Sequence, residues 1–224
     1  MTTTGGRLAS TAVYTEIGSK RVFACALDWP GWCRSGKDEQ GALEALAAAG
    51  PRYAAVAAEA GVKFPSEVAG AFEVVERIRG SATTDFGVPG EAAARDTDSL
   101  TREEAARHAA LVSAAWRMFD RVVAGAPSEL RKGPRGGGRD RDAIVDHVLG
   151  AEVGYARKLG LRLPQPASGD RAAVAAHREE IVRALTTGPD EVAGKGWPPR
   201  YGARRIAWHV LDHAWEIEDR SSGN

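Results

Sequence analysis

No apolar run in the 224 residues approaches the ~20 that a membrane-spanning helix needs, so a helical membrane protein is not expected. Excess charge of either sign is also missing. Lys plus Arg equals Asp plus Glu at 30 each, which argues against sequence-independent binding to nucleic acid, a partner that selects basic surfaces. Cysteine is scarce. Cys25 and Cys33 alone cannot form a disulfide framework, and in a cytosolic setting both are expected to be reduced. The opening residues, Met1-Thr-Thr-Thr-Gly-Gly-Arg7, hold no apolar core of a secretory signal, so the expected compartment is the cytoplasm. Only six of the thirty basic residues are Lys, while Ala and Gly abound, a composition typical of high-GC bacterial genomes.

What is present divides into two unlike halves. Thr11 to Ile17 and Arg21 to Leu27 are rich in β-branched and aromatic residues and are separated by Gly18-Ser19, which predicts a hairpin. Asp28-Trp-Pro-Gly-Trp32 carries turn chemistry and returns the chain to a short third strand near Cys33, so the two thiols could face each other. Ser35 precedes Asp38 in a capping-box arrangement ahead of Ala42, Leu43, Ala45 and Leu46 at helical spacing. The helix should stop near Gly50-Pro51, with a second segment over 52–60 and a returning strand over Phe72 to Ile78. This order, with the phrase Phe23-Ala-Cys-Ala-Leu-Asp-Trp-Pro-Gly-Trp32, resembles the HicB-like antitoxin fold. The resemblance implies a small α+β domain over residues 1–88 that binds a protein partner or shapes a ligand site. Ser81 to Asp98 shows no periodicity and is expected to connect the halves, ending near residue 100.

From 101 to 224 the pattern is helical. Thr101-Arg-Glu-Glu104 reads as a capping box opening a helix that buries Leu111, Ala115, Phe119, Val122 and Val123. Further helices are expected over about 140–159, 170–185 and 201–220, which makes a four-helix bundle and an α+β protein overall. On the last helix Ile206, Val210, Ala214 and Ile217 form the core stripe. His209, His213 and Glu216 follow its edge at successive turns. On the 140–159 helix His147 is offset from Ile144 by the angle that separates His209 from Ile206, so three imidazoles from two helices can converge as a His₃ metal site with an open position.

The pattern Ile144-x-x-His147-Val-x-x-Ala-Glu152-x-x-Tyr155, followed by Trp208-His209-x-x-x-His213, resembles the DinB/YfiT-like superfamily. That resemblance covers roughly residues 101–220. It implies a divalent metal on His147, His209 and His213 and either a thiol-dependent S-transferase, with mycothiol the thiol that the composition favours, or a metal-dependent hydrolase acting on a small-molecule substrate. Zn²⁺ is the first expectation, with Ni²⁺ or Fe²⁺ behind it. The rival class is a non-catalytic protein in which the bundle binds a ligand or partner and the HicB-like half mediates assembly; a metal kept only as a structural clamp is a third reading.

Other residues bear on the site. Glu152 falls on an apolar face, where it either pairs with Arg204 or Arg205 or serves as a proton carrier with a raised pKa. Glu216 is the other acid–base candidate, and either it or Asp212 could orient a ligand imidazole. The stretch Arg131 to Arg141 is basic and glycine-rich, so Arg135, Arg139 and Arg141 form a possible anion site, set against the plainer reading of a solvated linker. His108 and His177 have no spaced partner and read as fillers. Trp208 and Trp215 lie seven residues apart on the side away from the histidines, where they should pack on the N-terminal half or on a second copy in a homodimer. Trp197-Pro-Pro-Arg200 reads as a rigid approach to the last helix.

Overall fold

Alternation between apolar and polar residues ends at the second strand, whose five residues are all buried, and this strand organises the N-terminal half. A computed structural model of the protein describes residues 10–64, 71–133, 137–187 and 196–221. Strands β1 (Thr11–Ile17), β2 (Val22–Ala26) and β3 (Cys33–Gly36) precede helices α1 (Glu39–Ala48) and α2 (Gly50–Glu59), and β4 (Phe72–Arg79) returns. The sheet order is β3-β2-β1-β4, with β1 antiparallel to β2 and parallel to β4. Ser35 does not cap α1. It stays in β3 opposite Phe23, and Asp38 is the cap, its carboxylate accepting from the Gly41 amide at 2.8 Å.

Helices α3 (Ala82–Phe86), α4 (Arg102–Gly125), α5 (Arg141–Lys158), α6 (Arg171–Thr186) and α7 (Pro199–Ser221) complete the chain. The Thr101 box forms as expected: Thr101 Oγ1 accepts from the Glu104 amide at 3.1 Å and Glu104 accepts from the Thr101 amide at 2.8 Å. The connection between the halves is more ordered than its lack of periodicity suggests. It holds α3 and a 3₁₀ turn over Ala94–Thr97, and polar contacts rather than apolar spacing fix it. Fully buried Glu16 accepts from the Thr84 hydroxyl and from the amides of Gly90 and Glu91, both at 3.0 Å. Buried Asp96 accepts from Arg204 Nε at 3.1 Å, which ties the connection to α7.

Helix α7 is the shared wall of the molecule. Its Ile206, Val210, Ala214 and Ile217 face a core that also takes Val112 and Ala115 from α4, Ile144 and Val148 from α5, and Trp32, Leu46 and Val56 from the N-terminal half. The other side of α7 receives the sheet, as expected for its tryptophans. Trp208 meets Phe23 edge to face at 6.1 Å, and Trp215 lies under the guanidinium groups of Arg34 at 4.0 Å and Arg52 at 5.2 Å. Gly31, in the Trp-Pro-Gly turn, has φ +93°, and a Cβ there would sit 2.7 Å from Leu211 Cδ1. Only glycine allows that turn to lie against α7. Cys25 and Cys33 are register partners across β2 and β3, and both are buried free thiols.

Candidate metal centre

Because α5 and α7 both turn their apolar stripes inward, the residues flanking those stripes come together where the two helices meet. His147 of α5 and His209 and His213 of α7 meet there, and one ligand atom from each lies within 4.8 Å of the others. The Nε2 atoms of His147 and His209 are 3.2 Å apart, and the ring centroids lie 4.7–5.1 Å from one another. A tetrahedral ion with Zn–N bonds of 2.0–2.1 Å separates its nitrogen ligands by about 3.3–3.4 Å, so the first pair already stands at ligand spacing.

Burial decides the protonation of two of these rings. His209 is buried, and desolvation, assisted by the charges of His213 and Arg205, pushes it down to about 2. His147 is also lowered, again by burial first and by His213 next. Both are neutral at pH 7, the form that binds a metal. His209 Nδ1 is buried without a hydrogen-bond partner.

Behind His213 stands an ordered carboxylate. His213 Nδ1 donates to Glu216 Oε2 at 2.8 Å, and Glu216 Oε1 accepts from Arg220 Nη1 at 2.6 Å. The His213 hydrogen bond holds the Glu216 carboxyl below the usual carboxylate range, with Arg220 adding to it. The contact engages Nδ1 and leaves Nε2 of His213 as the ligand nitrogen, the arrangement by which a carboxylate orients a metal-bound histidine. Asp212, the alternative for this role, pairs with Arg34 at 3.2 Å instead. Glu216→Gln should weaken metal affinity by about 10–100-fold while sparing the fold, a difference that competition against a chelating dye measures.

Glu152 is elsewhere engaged. It is fully buried, and its partners are Trp116, whose Nε1 donates at 2.8 Å, and Arg178, whose Nε stands 3.4 Å away. The expected Arg204 pairs with Asp96, and Arg205 makes no ion pair among the described residues. The correction follows from helix order: Arg178 of α6 reaches the α5 face that Arg204, directed to the connection, cannot. His108 and His177 are buried apart from the cluster.

At its first residue the basic stretch bonds to the end of α7. Arg131 Nη2 donates to the Asp219 carbonyl at 2.8 Å, and Arg220 Nε donates to the Arg131 carbonyl at 2.8 Å. Arg141 is committed to Asp142 and to the Ala126 carbonyl. Arg135 lies outside the described residues. Arg139 is exposed, and its charge reaches His147 and His209.

Aromatic side chains and one arginine lie beside the histidines, where the sequence reading assigned Trp197 and Arg205 other roles and left Tyr201 without one. Tyr155 stands edge to face with His209 at 5.6 Å; Trp197 tilts against Tyr155 at 5.4 Å and meets Tyr201 at 4.8 Å. Arg205, one turn before His209, has its guanidinium over Tyr155. The i, i+4 spacing of Arg205 and His209 was the available signal.

No family model, curated protein or solved structure matches the chain. No helix among the described residues is long and apolar enough to cross a membrane.

Proposed function

We propose that the protein is a metal-dependent enzyme of the DinB-like kind, acting on a small molecule as a thiol S-transferase or hydrolase. The observation that carries this reading is the convergence of His147, His209 and His213, from two helices, with ligand atoms within 4.8 Å of one another. Three imidazoles leave a fourth position for water, thiolate or substrate, which separates this donor set from a closed structural site. When bound, a divalent ion, Zn²⁺ first and Ni²⁺ or Fe²⁺ next, supplies Lewis acidity that favours hydroxide or thiolate at neutral pH. Mycothiol is the cosubstrate that the transferase reading takes.

The chain's own residues prepare the site. Burial keeps His147 and His209 neutral, and Glu216 fixes the orientation of His213. Tyr155 and Trp197 give the histidine cluster an aromatic neighbour against which an apolar substrate body packs. The fully buried position of Glu152 suits it to holding α5 and α6 together rather than to proton transfer with substrate.

Mass spectrometry of tag-free protein should find near-stoichiometric metal in wild type after incubation with Zn²⁺ or Ni²⁺ and chromatography. His209→Ala should retain less than a tenth as much. Metal-free wild type after that loading would remove the basis for this function.

A further inference from the structure

Among the buried arginines of the described residues, each has an acidic partner: Arg178 has Asp120 and Glu152, Arg200 has Asp28 and Glu104, and Arg204 has Asp96. Arg205, half-buried on α7 beside Arg204, breaks this pattern. Its Nη1 is sealed from solvent without a hydrogen-bond partner, and no described carboxylate pairs with it. Two rings hold the guanidinium instead, Trp208 at 4.7 Å and Tyr155 at 5.3 Å from its central carbon. Cation–π contact fixes the faces of the guanidinium but satisfies none of its N–H groups, which point outward in the plane. A cation so positioned and left without a counter-charge is prepared for a ligand that brings one.

Its place on α7 says where that ligand lies. Arg205 precedes His209 by four residues, a rise of about 6 Å along the helix, and the two share Tyr155 as a neighbour. Beyond Tyr155 the aromatic wall continues through Trp197 to Tyr201. We propose that Arg205 anchors the substrate of the three histidines, and that the substrate class is a small organic carboxylate with a flat apolar body. The carboxylate takes the side-on fork of Arg205, Nε–H and Nη2–H, since Nη1 is enclosed, a bidentate geometry that a planar carboxylate matches. The apolar body lies beside Tyr155 and Trp197, which directs the rest of the molecule toward the three imidazoles. The position of the reacting end rests on the metal reading above; the anion anchor itself does not.

Calorimetric titration with benzoate, benzamide and inorganic phosphate tests this on the full chain, with metal content measured on the same preparations. Wild type should bind benzoate at least tenfold more tightly than benzamide or phosphate. Arg205→Met should lose that preference with metal content unchanged, and Arg205→Lys, which keeps the charge without the fork, should fall between the two. Equal affinity of wild type for benzoate and benzamide overturns the anchor, as does a preference for phosphate, or a benzoate affinity unchanged in both variants. Metal-free wild type that still binds benzoate through Arg205 keeps the anchor and removes the metal reading. Metal-loaded protein that binds benzoate without regard to Arg205 does the opposite.

Discussion

Replacing Glu152 by Ala is expected to lower the unfolding free energy by about 3–5 kcal/mol, the cost of removing one member of a buried ion pair. Glu152 has no exposed surface, and Arg178 is nearly enclosed beside it. Truncation leaves the Trp116 indole N–H without its acceptor and Arg178 with Asp120 alone, at 2.8 Å on the solvent side of the pair. Those orphaned groups, rather than the lost attraction, supply most of the cost. Two controls separate the causes. Glu152→Gln keeps an acceptor for Trp116 and should cost about 1–2 kcal/mol, while the double variant Glu152→Leu with Arg178→Leu should recover most of the loss, because neither charge then remains buried. Urea unfolding followed by tryptophan fluorescence measures all three. A Glu152→Ala loss below about 1 kcal/mol would mean that solvent reaches this carboxylate.

The same residue shows where sequence reading stops. That Glu152 would sit on a buried face followed from the spacing of Ile144, Val148 and Tyr155, because helical periodicity is a local property. Its partner was not local: Arg178 lies 26 residues away on α6, and which helices adjoin is set by packing around α7. The three histidines belong to the legible class, since each offset from a core stripe is fixed within its own helix and two stripes facing one core bring the offsets together. The strands and the Thr101 cap were legible for the same reason. The connection over 81–98 was not, because buried Glu16 and Asp96 hold it through single polar contacts that leave no periodic trace. Arg205 was legible as a candidate partner for Glu152, and that no described carboxylate pairs with it followed only from the packing that gives Glu152 to Arg178.

Acid should unfold the metal-free protein unusually early, and the buried histidines set the window. His108 is pushed down to about 3 by burial first and by the charges of Arg200 and Arg107 next; His209 goes to about 2 for the same leading reason. In the unfolded chain both return to the ordinary value near 6.5. Below about pH 6.5 the unfolded state therefore binds protons that the folded state refuses, and stability falls with pH until the folded values are reached. Each group contributes a slope of about 1.4 kcal/mol per pH unit, so the two together remove about 5 kcal/mol between pH 6.5 and 4.5, comparable with the whole stability of a small domain. Glu152 acts with the opposite sign. Burial raises its carboxyl, so between that raised value and the unfolded value near 4.5 the folded state takes up the proton more readily and gains stability as pH falls. Comparing variants that share Glu152 cancels this contribution. His108→Leu should flatten the dependence of urea-unfolding free energy on pH between 6.5 and 4.5 by about 1.4 kcal/mol per pH unit, leaving the slopes of His209, His147 and His177. Parallel curves for wild type and His108→Leu would show that His108 takes up its proton in the folded state as readily as in the unfolded one.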